Sequence, residues 1–309
     1  MKTAFVFPGQ GSQSIMMMAP FADLEIVKDT FEQASEILGQ DLWHLVNHGP
    51  VEELNQTINT QPVMLTASVA LYRAWVARGG KQPDVVAGHS LGEYAALVVA
   101  GVLDFHEAIE AVRYRAQLMT EAMPEGGAMA AVLGLEQAVL AQACDKAANG
   151  QVVEMVNFND PKQIVIAGNL EAVERAGIFA KESGAKRVVM LPVSGPFHSS
   201  LMKDAADKMA DYLKRTTLLS AAIDIVMNVD AKLHHDIEDI RQLMSRQICS
   251  PVQWIKTVKE MESLGVGTII ECGPGKVLTG LGKRISPDLE HLVLSDPLIM
   301  DNLIFGDDA

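Results

Sequence analysis

Apolar positions along the chain fall into two rhythms. Short unbroken runs, such as AFVF (4–7), DVVAG (84–88) and VGTIIEC (266–272), alternate with longer stretches where apolar residues recur at helical spacing. Unbroken runs predict strands buried on both faces of a parallel sheet, and the spaced stretches predict helices covering them. Helices are predicted over about 24–38, over 62–78 with Pro62 at the start, over 91–101 with a Gly at the end, and over 106–123. DVVAG passes through the tight turn His89-Ser90 into LGEYAALVVAG with no further spare residues, which is the βα unit of an α/β sheet.

From Gly126 the pattern changes. Strands are predicted at 128–134, 152–159, 163–168 and 187–193, and helices at 136–148 and 171–184. That order, βαββαβ, is the ferredoxin-like module. It sits between α/β segments and reads as an insertion. The expected fold class is therefore α/β: a hydrolase-like parallel-sheet core of residues 1–126 and 197–309, with a small ferredoxin-like domain at 127–196. Beyond it come a helix at about 201–215, a strand at 224–229 and helices near 236–247 and 251–264. The loop Gly273-Pro274-Gly275 leads into a helix at 276–285, a last strand is expected at 291–294, and the acidic tail reads as loosely held.

Composition narrows the function. Apolar residues make up 49% of the 309, enough for a sizeable core, and the net charge of −14 argues against nucleic acid. No stretch is long and apolar enough for a membrane span. Three scattered cysteines, Cys144, Cys249 and Cys272, form no metal-ligand pattern and no disulfide framework, which suits a reducing cytoplasm.

The sharpest chemical signal is Gly88-His89-Ser90-Leu91-Gly92, a Gly-x-Ser-x-Gly match between a buried strand and a helix. A Ser on that turn points its hydroxyl out of the sheet, beside the free N–H groups of a helix start. Ser90 is the candidate nucleophile, against the plainer reading of a helix cap. Such a Ser needs a base, usually His. Of eight histidines, His198 stands out, in the turn-rich loop PVSGPFHS (192–199); His89 reads as structural, and the His234–His235 pair lacks further metal ligands. No Asp or Glu stands out as a third member. The opening loop Gly9-Gln10-Gly11-Ser12-Gln13-Ser14 lacks the third Gly of a dinucleotide fingerprint and the Lys of a P-loop. Its backbone either supplies a second oxyanion donor or only makes a tight turn.

Taken together, FVFPGQGSQ, TQPVMLTASVALYRAW, AGHSLGEYAAL, GAMAAVLGL, VNFNDPKQIVIAG, LPVSGPFHSSLM, SPVQW and ECGPGKVLTGL resemble, in that order, the malonyl-CoA:acyl carrier protein transacylases of dissociated fatty acid synthesis. The resemblance implies an acylated Ser90, His198 as base, and oxyanion donors at the backbone of Gln10 and Leu91. It implies Arg115, rather than Arg113, as the partner of an acyl carboxylate, and a backbone carbonyl of Gln247 that orients the His in place of an Asp. Phe197 would narrow the pocket against branched acyl groups. The substrates would be malonyl-CoA and the 4'-phosphopantetheine thiol of acyl carrier protein, with no permanently bound cofactor or metal, and the chain would act as a monomer. Acyl carrier proteins are acidic, so docking needs a local basic patch. Lys276, Lys283 and Arg284, or Lys186 and Arg187, are the candidates, against the alternative of a solvated face. A serine hydrolase or a non-catalytic carrier-binding module would share parts of this pattern.

Overall fold

The computed structural model describes residues 2–123, 126–193 and 195–306. In chain order, β1 (Lys2–Phe7) is followed by α1 (Glu25–Leu38), α2 (Leu42–His48), α3 (Val51–Leu54) and α4 (Thr57–Ala77), then β2 (Val85–Gly88), α5 (Gly92–Val99) and α6 (Phe105–Glu121). A second group comprises β3 (Gly127–Leu133), α7 (Gln137–Ala148), β4 (Val153–Asp160), β5 (Gln163–Asn169), α8 (Leu170–Glu182) and β6 (Arg187–Met190). The chain ends with α9 (Lys203–Leu213), β7 (Asp224–Val226), α10 (Ile237–Arg246), α11 (Trp254–Ser263), β8 (Val266–Glu271), α12 (Val277–Ile285), β9 (Glu290–Val293) and α13 (Pro297–Phe305).

Five strands form a parallel sheet in the order β7-β2-β1-β8-β9, and four form an antiparallel sheet in the order β4-β5-β3-β6. β1 is central and ends in four buried residues, as the AFVF run demands for a strand covered on both faces. Helices bury one apolar layer on each side of the parallel sheet, and α7 and α8 share a separate core with the antiparallel one. Phe7 of β1 lies in register with Gly88 of β2, so the Pro8–Gln10 loop and the Ser90 turn leave the same carboxyl edge side by side. Ligands of open α/β sheets bind at that edge.

Several boundaries differ from expectation. α4 begins a turn earlier, with Pro62 inside it, because Asn59 and Thr60 bond back to the Glu53 and Leu54 carbonyls and start the helix before the Pro. β6 stops at Met190, two residues before Pro192, which has no N–H to offer a ladder. β7 stops at Val226, and the expected strand residue Asn228 turns into the site described below. The tail is not loose over Pro297–Phe305: Asp296 caps that helix through the Ile299 N–H, Met300 is buried, and Asp301 pairs with Arg78 at 2.5 Å. Residues 307–309 of that tail lie outside the described residues. Among the described residues no helix is long and apolar enough to cross a membrane.

Candidate active site

The strand-to-helix turn after β2 holds Ser90 at a φ of 52°, a left-handed conformation that costs a residue with a Cβ about 1–3 kcal/mol. Its surroundings enforce it. Gly92 sits so close to β1 that an added Cβ would lie 2.0 Å from the Phe7 carbonyl oxygen, and the His89 N–H donates to that same oxygen at 2.9 Å. The opening loop is pressed onto the turn in the same way, since a Cβ on Gly9 would lie 2.6 Å from the His89 carbonyl oxygen. Asn228, wholly buried, closes the clamp. Its Oδ1 accepts from the Ser90 N–H at 2.7 Å, and its Nδ2 donates to the Gly88 carbonyl at 2.5 Å.

His198 arrives from the loop after β6, also at positive φ, 65°. Its Nδ1 lies 2.8 Å from the Gln247 carbonyl oxygen at the end of α10. A carbonyl can only accept, so Nδ1 carries the proton and Nε2 is bare. The Ser90 hydroxyl donates to that Nε2 across 2.7 Å. Burial and the charge of Arg115 push the His198 pKa down to about 3, so the ring is neutral at physiological pH. A neutral carbonyl thus occupies the position where an Asp was sought.

Arg115, on α6, is one of the largest fully buried side chains. One Nη donates to Gln61 Oε1 at 2.7 Å, and the other to Gln247 Oε1 at 2.8 Å and to Ser90 Oγ at 3.1 Å. These partners are uncharged, and its Nε has none. Arg113, two residues earlier, turns the other way and bonds to Gln40 and Asn59. The sequence alone left these two arginines open; the fold separates them.

The Gln10 and Leu91 backbones line one cavity with Ser90, His198 and Arg115, of about 150 Å³. Among the described residues neither the Gln10 N–H nor the Leu91 N–H donates to another protein group. Phe197 forms part of the wall, with Met119, Met129, Val165 and Leu191. His89 turns its ring onto Trp254, 5.5 Å between centroids, with Nε2 2.8 Å from Asn159 Oδ1 of β4, a structural tie between the turn and the second sheet. Lys276, Lys283, Lys186 and Arg187 are exposed, while Arg284 is engaged with the buried Asp160 at 2.7 Å.

Three members of this network escaped sequence reasoning: Gln61, Glu93 and Asn228. Glu93 had a signal, as a single acid in the otherwise apolar stretch LGEYAALVVAG that stands wholly buried. Gln61 and Asn228 had none of that kind, since a polar residue beside a Pro or after a strand is ordinary.

An acyl transferase domain model matches residues 4–286. The chain belongs to the acyl transferase domain family. It is 55% identical over 299 residues to the malonyl CoA-acyl carrier protein transacylase of Escherichia coli (strain K12), covering 96% of this chain and 97% of that protein. Against the protein of the same name from Bacillus subtilis (strain 168) identity is 44%, over 96% and 94%. The crystal structure of the acyl-carrier-protein S-malonyltransferase of Burkholderia pseudomallei 1710b superposes with a TM-score of 0.97 at 50% identity, covering 98% of this chain and 99% of that one. A malonyl-transacylase solved in complex with a type II PKS acyl-carrier protein gives 0.97 at 49% identity, over 98% and 99%. This acyltransferase family is the one the motifs resembled.

Proposed function

We propose that this acyltransferase moves the malonyl group of malonyl-CoA to the phosphopantetheine thiol of holo acyl carrier protein, through a malonyl ester on Ser90. The observation that carries the reading is Arg115: a buried guanidinium, uncharged partners around it, its Nη 3.1 Å from the candidate nucleophile. A buried charge calls for an opposite one, and a guanidinium holds a carboxylate through two parallel bonds. An acyl group with a free carboxylate supplies it. Neutral acyl groups do not, which separates this reading from a general thioesterase.

The residues divide the work as follows. His198 Nε2 takes the Ser90 proton as Oγ attacks the thioester carbonyl. The Gln10 and Leu91 amides receive the oxyanion; one such donor is worth about 2.7–4 kcal/mol. The C–S bond breaks, the proton on His198 goes to the departing thiolate, and CoA leaves. The carrier thiol then gives its proton to His198 and attacks the Ser90 ester, and the same steps run in reverse to free Ser90. The kinetics are ping-pong. Phe197 narrows the acyl pocket. No resident cofactor is required, and the reading suits a monomer in a reducing cytoplasm with three unpaired cysteines. Residues 127–196 form the ferredoxin-like insertion in a hydrolase-like core, a division supported by the β3-α7-β4-β5-α8-β6 order and its own apolar core. Intact mass after malonyl-CoA treatment tests the function. A malonyl adduct discharged by holo acyl carrier protein is the expected result; an adduct that only water discharges sinks it.

A further inference from the structure

Glu93 touches neither Ser90 Oγ, His198 nor Arg115, yet it bonds to both residues that hold them. It is wholly buried on the first turn of α5. Its Oε2 accepts from the Asn228 N–H at 2.6 Å, and its Oε1 accepts from Gln247 Nε2 at 2.8 Å. Asn228 clamps the Ser90 turn. Gln247 orients His198 through its main chain and Arg115 through its side chain, and its Nε2 also donates to the Ser90 carbonyl at 2.9 Å. We propose that Glu93 is the positioning residue of this site, a buried acceptor whose two oxygens fix Asn228 and the amide orientation of Gln247, and so align Ser90, His198 and Arg115 with one another.

The argument is one of donors and acceptors. An amide has one donor end and one acceptor end. With Glu93 accepting at Nε2, Gln247 must present Oε1 to Arg115, which can only donate. If Glu93 cannot accept there, the Ser90 carbonyl is left as the one acceptor holding Nε2 on that side, and an amide that reverses meets the guanidinium donor to donor. Burial pushes the Glu93 carboxyl up to about 8, against the smaller downward pull of the Asn228 amide, the charge of Arg115 and the Gln247 amide. Both oxygens meet N–H groups, and only the ionised form satisfies both.

This inference rests on the reading of Ser90 as the acylated residue, and the test keeps the two apart. Glu93→Gln keeps the shape and puts a donor where an acceptor is needed; Glu93→Asp keeps both acceptors and loses a methylene. Malonyl-enzyme formation is followed by intact mass, with thermal denaturation as a check of folding. A positioning acceptor requires the Asp enzyme to be acylated at least 10-fold faster than the Gln enzyme. A space-filling role requires the reverse, and a Gln enzyme as fast as or faster than the Asp enzyme overturns the inference. Should either variant fail to fold, Gln247→Met, which keeps the main-chain carbonyl and drops the amide, is compared on malonyl-CoA and acetyl-CoA. A 10-fold loss of preference for malonyl-CoA is expected, and an unchanged preference overturns the inference. A wild-type enzyme that takes no adduct overturns the proposed function instead.

Discussion

Ser90 and His198 face each other across 2.7 Å, and both are held at positive φ, 52° and 65°. Neither is a glycine, so the site keeps two residues in a left-handed conformation that L side chains avoid. The clamp of Asn228, Phe7 and Gly92 stabilises the first, and the His198 N–H bond to the Ile248 carbonyl at 3.1 Å helps hold the second.

That strain can be measured apart from the chemistry. Ser90→Ala and Ser90→Gly both lose the hydroxyl, and they differ in having a Cβ at positive φ. The Gly enzyme is expected to be about 1 kcal/mol more stable than the Ala enzyme in urea unfolding. Neither should form a malonyl adduct. An Ala enzyme as stable as the Gly enzyme would show the turn to be relaxed.

The strands, the helices and the Ser–His pair were legible because each leaves a local trace. A four-residue apolar run and a Gly-x-Ser-x-Gly turn are written in adjacent positions. The helix at 42–48 and the final helix over Pro297–Phe305 were not read, since one is short and the other follows a stretch that looked like a tail. Asn228 and Gln61 were invisible for a different reason: their value lies in partners 138 and 54 residues away. Arg115 fell between these cases. Its type suited a carboxylate, but only the fold shows Arg113 committed to Gln40 and Arg115 turned to Ser90.

Arg115→Ala tests the carboxylate clamp. Truncating one partner of a buried charge pair costs about 2–5 kcal/mol. The kcat/KM for malonyl-CoA is therefore expected to fall at least about 30-fold, while that for acetyl-CoA falls less or rises. Equal losses on both substrates would leave Arg115 a structural residue.

Asn228→Ala removes the side chain that satisfies the Ser90 N–H and the Gly88 carbonyl at once. Each buried group left without a partner costs about 1–3 kcal/mol. A loss of roughly 2–6 kcal/mol in urea unfolding is expected, together with a lower kcat. Unaltered stability would mean that water or a shifted backbone replaces the amide.

His198 makes stability depend on pH in a stated direction. Its ordinary pKa of 6.5 is pushed down to about 3 in the fold by burial and by Arg115. Below pH 6.5 the unfolded chain takes up a proton that the folded ring refuses, so acid favours unfolding until the folded ring titrates near pH 3. The slope from this one group approaches about 1.4 kcal/mol per pH unit within that window. Other groups titrate there too, so wild type is compared with His198→Gln, which cancels them. The stability of wild type relative to the variant is expected to fall between pH 6 and 4. A constant difference would place the ring in contact with solvent.

The docking patch has to be tested with the structure in mind. Reversing Lys283 and Arg284 together would confound two effects, because Arg284 holds the buried Asp160 of β4 at 2.7 Å. A Glu at that position would set a second carboxylate against Asp160 and loosen the contact between α12 and the second sheet. Lys276→Glu with Lys283→Glu changes the charge of the same surface and leaves that pair intact. If this face meets an acidic carrier protein, the KM for the carrier should rise several-fold and the rise should shrink with added salt, since rim charges act mainly on encounter. Malonyl-Ser90 formation from malonyl-CoA should be unchanged. An unaltered carrier KM would move the docking site to Lys186 and Arg187, whose reversal is then expected to produce the same pattern.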